Sequence, residues 1–181
     1  MFTARSLSED TKETFQFIHG HFFEGKKRVK DLEIVRRKYE ETSKYEDKLC
    51  YPLYHKATAL LKHFGYTKFN EQSVYFEFQR KNYATSTENK DKNKDFIWHY
   101  DDSIGFFPKV YTVIFYIRKD PTVKGGNLLY DLEETKQVNI RKVEIEEGHV
   151  VLFRGDTYHS PEPSSGFGCR DAIIVFVERC D

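Results

Sequence analysis

Cysteine is scarce in this chain. Among 181 residues there are three, Cys50, Cys169 and Cys180, too few and too unevenly placed for a disulfide framework or a cysteine-rich zinc site. A reducing, intracellular setting is the simpler reading. An excess of charge of either sign is also missing. Lys+Arg and Asp+Glu both total 29, so no general field draws the protein to nucleic acid or to an anionic membrane. No long apolar run precedes the charges of MFTARSLSEDTKE, so neither a secretory signal nor a membrane span is expected there. These absences together predict a cytoplasmic protein with no nucleic-acid and no membrane partner. No HExxH segment occurs, which removes the helical zinc-protease signature. The length suits one domain with a sizeable core and is short for two.

Aromatic residues, by contrast, make up 16% of the chain and fall mostly in segments that read as strands, where they fill the space between packed sheets. Three helices are expected first. Ser6 with Glu9 forms a capping-box pattern ahead of a helix to about Phe22, with Phe15, Ile18 and Phe22 at helical spacing. His19 and His21 diverge on such a helix and are read as surface residues. After Gly25 the basic run KKRVK reads as solvent-exposed, and Val29, Leu32, Val35 and Tyr39 mark the apolar stripe of a second helix reaching about Asp47. Leu53, Ala57, Leu60, Leu61 and Phe64, closed by Gly65, mark a third. Residues 1–72 are therefore expected to be a helical support region.

From Ser73 the period becomes extended. SVYFEFQ alternates like a strand, and the polar segment 84–95 reads as a loop, either a plain connection or a lid over a site in the strand after it. VYTVIFYI from Val110, KGGNLLYDL from Lys124, VEIEEGHVVLFRGD with a turn at Glu147 and Gly148, and a last strand from about Arg170 to Glu178 complete the series. Short strands separated by turns, with no helices between them, predict an antiparallel sandwich or barrel over 73–181.

One stretch carries chemistry. FIWHYDDS, read as a strand, places His99 and Asp101 on one face, with Asp102, Trp98 and Tyr100 on the other. His159 follows in GDTYHSP, and Arg170 heads the apolar run RDAIIVFV. Two histidines and one carboxylate are the ligand set of the facial triad that holds non-haem Fe(II). His149 and Cys169, the other reactive side chains nearby, read as a turn residue and a small buried residue.

His99-x-Asp101, Gly125-Gly126, Gly155-Asp156, His159 and Arg170, in that order, resemble the 2-oxoglutarate and Fe(II) dependent dioxygenases, particularly their prolyl 4-hydroxylase-like branch. The resemblance spans roughly residues 73–181. It implies a double-stranded β-helix, or jelly roll, with Fe(II) held by His99, Asp101 and His159. Arg170 would grip the far carboxylate of 2-oxoglutarate, as its two parallel donors suit, with Tyr116 beside it. Dioxygen as co-reactant and ascorbate as reductant are implied too. The expected reaction is hydroxylation of a C–H bond, on a prolyl or other side chain of a peptide or protein. A free amino acid, another small metabolite, or a non-catalytic jelly-roll binding module are the alternatives. Repair-type nucleic-acid demethylases carry a second arginine six residues on, where this chain has Phe176. Asp101 in place of a small residue favours hydroxylation over halogenation.

Overall fold

The computed structural model describes residues 3–25, 32–83, 97–104, 107–132 and 139–181. KKRVK and the loop 84–95 lie outside the described residues. Two helices, α1 (Glu9–Phe23) and α2 (Tyr45–His63), accompany eleven strands. The strands are β1 (Thr3–Ser6), β2 (Leu32–Tyr39), β3 (Phe69–Tyr83), β4 (Val110–Lys119), β5 (Lys124–Gly125), β6 (Leu128–Asp131), β7 (Arg141–Val143), β8 (His149–Arg154), β9 (Tyr158–Pro161), β10 (Ser164–Ser165) and β11 (Gly168–Arg179). Six of them form one sheet in the order β1-β8-β4-β11-β3-β2, and β7-β6-β9 form a smaller one. All their pairings are antiparallel. Facing sheets of this kind make the expected jelly roll.

The large sheet has no polar face at its centre, and this is why VYTVIFYI and RDAIIVFV read as nearly continuous apolar runs. Val113, Phe115 and Ile117 of β4, with Ile173, Val175 and Val177 of β11, point toward the helices and pack with Phe15, Ile18, Leu53 and Leu61. The alternate residues Ile114, Tyr116 and Ala172 point the other way, onto Leu128 and Ile145 beside the small sheet. The first face makes the core. The second face lines the site.

Helix α1 starts two residues later than a Ser6 cap would place it. Ser6 is the last residue of β1, paired with His149, and Ser8 caps instead, its hydroxyl accepting from the Thr11 amide at 3.2 Å. Helix α2 begins at Tyr45, earlier than expected, and runs through Pro52; Glu46 and Asp47 sit in its first turn, where the helix dipole favours acids. Among the described residues, neither helix is long and apolar enough to cross a membrane.

The expected second helix is strand β2. Val35 and Tyr39 are four apart, a spacing that shares a face in a helix and in a strand alike, but Leu32, three before Val35, falls on the other face of the strand, so pairing with β3 overrides the helical spacing. Burial alternates along β2, with Val35, Arg37 and Tyr39 turned inward and Ile34, Arg36 and Lys38 exposed. Residues 1–72 thus supply both edge strands of the large sheet as well as the helices.

His19 corrects the surface expectation. It follows Phe15 by four residues on the inward face of α1 and is 1% exposed. Its Nε2 lies 2.7 Å from the Gln79 carbonyl, and its ring stacks on Phe23 at 4.6 Å. Burial pulls its pKa below the ordinary value, outweighing the opposing charge of Asp171. A histidine depressed in the folded state contributes stability above the unfolded pKa of about 6.5, and that stability is lost as pH falls toward the folded value. The urea midpoint should therefore drop on acidification below about pH 6.5, and less steeply in His19→Gln. Parallel pH profiles for the two proteins would exclude His19 as a source. His21, two residues on, is half-buried with Nε2 3.4 Å from Glu46.

Candidate metal centre and its cavity

FIWHYDDS is not a continuous strand among the described residues. His99 makes one antiparallel bridge with His159 of β9, its amide donating to the His159 carbonyl at 2.9 Å and its carbonyl accepting at 3.0 Å. The chain then bends, because the amides of Asp101 and Asp102 both donate to the Gly155 carbonyl, at 2.8 and 3.0 Å. So close an approach needs glycine: a Cβ on Gly155 would lie 2.7 Å from Val110 Cγ2 and 3.0 Å from the Asp102 amide. The Gly155-Asp156 motif is a seat for the HYDD turn.

That bend separates the two acids as alternation had suggested, by a different route. Asp102 turns back to the framework, accepting from the Val110 amide at 3.0 Å and from Arg179 at 2.9 Å. Asp101 turns into the cavity, 5% exposed. Trp98 and Tyr100 face away, their rings 5.2 and 5.0 Å from Tyr158.

Asp101 Oδ1 lies 3.2 Å from His99 Nε2 and 3.5 Å from His159 Nε2. One ligand atom from each of the three falls within 4.8 Å of the others. The far ring nitrogens are held by backbone: His99 Nδ1 is 2.6 Å from the Ile97 carbonyl and His159 Nδ1 is 2.8 Å from the Thr157 carbonyl. A neutral ring that donates from Nδ1 leaves Nε2 as a bare acceptor. Thr112 donates to Asp101 Oδ2 at 2.7 Å and so aims Oδ1 at the two rings. Three acceptors thus converge with no donor among them, a set that suits a cation.

The hydrogen bond to Asp101 raises the pKa of His99. Burial alone would raise Asp101, but His99, His159 and Thr112 together hold it below the usual carboxylate range. Burial lowers His159 despite the nearby carboxylate.

The triad opens on a cavity of about 250 Å³ between the two sheets. Arg170 lines it, 7% exposed, with Nη1 donating to the Gly126 carbonyl at 2.9 Å and Nε without a hydrogen-bond partner among the described residues. Gly126 sits at a φ of +72°, and a Cβ there would come 2.7 Å from Nη1; the Gly-Gly motif makes room for the guanidinium. Tyr116 also lines the cavity, with the Arg170 Cζ 6.0 Å from its ring centroid, and burial pushes its pKa up to about 12. An orphaned buried guanidinium nitrogen in a cavity suits a carboxylate. All five residues singled out in the sequence meet at this one site.

His149 and Cys169 stay outside it. His149 Nδ1 accepts from the Glu146 amide at 3.2 Å, and the buried Cys169 thiol donates to Asn82 at 3.2 Å. Sequence reasoning missed Thr112, although a lone hydroxyl inside VYTVIFYI was a visible interruption. It also missed Glu77, Gln79 and Arg36, which line the same cavity.

No protein-family model matches the sequence, and no curated protein matches it. Solved structures do. A 2OG-Fe(II) oxygenase family oxidoreductase from Burkholderia pseudomallei superposes with a TM-score of 0.67 at 11% identity, covering 98% of this chain and 84% of that one. A Pseudomonas putida prolyl-4-hydroxylase gives a TM-score of 0.60 at 13% identity, over 98% and 92% of the two chains. A prolyl hydroxylase in complex with a hypoxia inducible factor oxygen degradation domain peptide fragment, from Trichoplax adhaerens, gives 0.57 at 12% identity, over 98% and 83%. The chain has the fold of these oxygenases over nearly its whole length.

Proposed function

We propose that this chain is a 2-oxoglutarate and Fe(II) dependent dioxygenase of the prolyl 4-hydroxylase-like branch, which hydroxylates a C–H bond on a side chain of a peptide or protein. The observation that carries the reading is the pairing, in one cavity, of three converging acceptor atoms with a buried arginine whose Nε has no partner among the described residues. His99, Asp101 and His159 would hold Fe(II) on one face, leaving the rest of its coordination sphere to the reactants. Arg170, with Tyr116 beside it, would hold and orient the far carboxylate of 2-oxoglutarate in a site largely closed to water. Bound iron and 2-oxoglutarate supply an oxidative decarboxylation that consumes dioxygen, releases succinate and carbon dioxide, and places one oxygen atom in the substrate C–H bond; ascorbate would keep the iron ferrous.

A peptide substrate is supported by the fold shared with the peptide-bound Trichoplax adhaerens enzyme. The second reading is a free amino acid, favoured by the small cavity of about 250 Å³.

Thr112 should act through Asp101. Thr112→Val keeps the shape of the side chain but leaves Asp101 Oδ2 without its donor, and outer-shell losses of this kind cost about 10–100-fold in metal affinity. Chelator competition would measure it; unchanged affinity would show that the hydroxyl does not orient the carboxylate. The reading as a whole is tested anaerobically, by adding Fe(II) and 2-oxoglutarate to metal-free protein. The weak visible charge-transfer band of the chelate is expected, and is expected to vanish in His99→Ala and His159→Ala. Folded wild-type protein that gives no band would favour a non-catalytic binding module.

A further inference from the structure

Among the described residues, the cavity is lined by two acids and two arginines. Asp101 and Arg170 have the tasks described above, so Glu77 and Arg36 are left over. They face each other across the β2–β3 pairing, with Arg36 Nε donating to Glu77 Oε2 at 3.1 Å. Their exposures differ sharply: the Arg36 side chain is 57% exposed and that of Glu77 7%. Beyond Glu77 in the same row come Ile174 of β11 and Ile114 of β4, both apolar and both lining the cavity.

A carboxylate at such a position loses its water, and a cross-strand ion pair with an exposed arginine returns little of that loss. A pair serving the sheet alone could stand on its solvated surface. Here the acid is turned toward the triad instead. Glu77 is two strand spacings, roughly 10 Å, from the β4 backbone on which Thr112 holds Asp101. Gln79 donates to the other oxygen, Oε1, and so fixes the direction of the carboxylate.

We propose that Glu77 selects a substrate bearing a protonated amine or guanidinium, which takes the place of Arg36 on its carboxylate while a C–H bond a few atoms away lies at the metal. The proposal rests on the hydroxylase reading and narrows its substrate class. Exchange of one cation for another keeps the carboxylate paired, and Arg36 already reaches solvent, so its release costs little. A neutral group of the same size cannot displace Arg36, and an anionic one meets Glu77 unfavourably. The cation has two possible sources. It is the side chain of a basic residue in a peptide or the α-ammonium of a free amino acid, whose carboxylate would then meet the freed Arg36.

The test is a titration of the anaerobic Fe(II) and 2-oxoglutarate chelate, read as the perturbation of its charge-transfer band. The probes are an N-acetylated, C-amidated lysine-containing pentapeptide, its norleucine counterpart with the same blocked ends, and free L-lysine and L-norleucine. The lysine peptide is expected to bind about tenfold or more tightly than the norleucine peptide. If the α-ammonium is the group held, both free amino acids bind tightly and neither peptide does. Glu77→Gln should erase the preference between the charged and neutral probes. Arg36→Gln should sharpen it for the lysine peptide, lowering that probe's apparent Kd because the competitor is gone; a purely structural ion pair predicts no such gain. A wild-type band unaffected by charge on any probe overturns the proposal alone, as does an unchanged preference in Arg36→Gln and in folded Glu77→Gln. A missing band in folded wild-type protein overturns the hydroxylase reading, and the proposal with it.

Discussion

Asp101→Ala is expected to abolish turnover and to weaken Fe(II) binding by more than about 100-fold, the upper range for losses outside the first coordination sphere. Asp101 is the only charged member of the triad, and its Oδ1 is the atom on which both imidazoles converge. Its removal leaves two ring nitrogens in a half-dry pocket, with no carboxylate ligand to balance a divalent cation. Thr112 loses its acceptor in the same step. Asp102→Asn makes the matching control. That side chain bonds Val110 and Arg179 instead of facing the cavity, so it should lower thermal stability and spare iron affinity. Isothermal titration with Fe(II) under anaerobic conditions separates the two. Wild-type turnover in Asp101→Ala would remove the triad assignment.

Arg170→Ala should raise the 2-oxoglutarate KM by about 100-fold while kcat at saturation changes much less. Hydrogen bonds to a charged group contribute about 1.5–3 kcal/mol each, and a guanidinium fork offers two in parallel. Nη1 is engaged by Gly126 and Nε has no partner among the described residues, so Nε and the remaining nitrogen are the donors proposed to hold the carboxylate. Lysine, a single point donor, should recover only part of the loss. The ratio of 2-oxoglutarate KM values among wild type, Arg170→Lys and Arg170→Ala is the measurement. A KM unchanged in Arg170→Ala would assign the carboxylate to another residue.

Much of this was legible in the sequence because burial on both faces leaves a strong imprint. Strands β4 and β11 stand out as apolar runs, and the candidate ligands His99, Asp101 and His159 stand out as a His-x-Asp pair with a distant histidine, four residues beyond the Gly155 on which the Asp101 turn is seated. Other features were hidden for identifiable reasons. Leu32, Val35 and Tyr39 keep helical spacing, so β2 passed for a helix. His19 is polar by type yet occupies the same helical face as Phe15 and Ile18. Glu77, at an alternate position in SVYFEFQ, looks like a residue facing solvent. It faces an internal cavity, and one-dimensional alternation cannot tell those two sides apart. The HYDD geometry was inferred from a strand, whereas the fold achieves it with one bridge and a turn on Gly155.

The sheet order also bears on how the protein is made. Strand β11 lies between β3 and β4 and hydrogen-bonds to both, yet it is translated after the other five strands of that sheet. As the nascent chain leaves the ribosome, β2 can pair with β3, and β4 with β8, but the two halves have no common edge until Gly168–Arg179 emerges. Two unpaired edges bearing Val74, Phe76, Phe78, Val113 and Phe115 must wait in that interval, a situation that invites aggregation. Nascent chains stalled before Gly168 should therefore be protease-sensitive and bind chaperone, and those stalled after the last strand has cleared the exit tunnel should not. The segment that closes the sheet is the one that delivers Arg170, so on the ribosome the cavity and the fold are completed together.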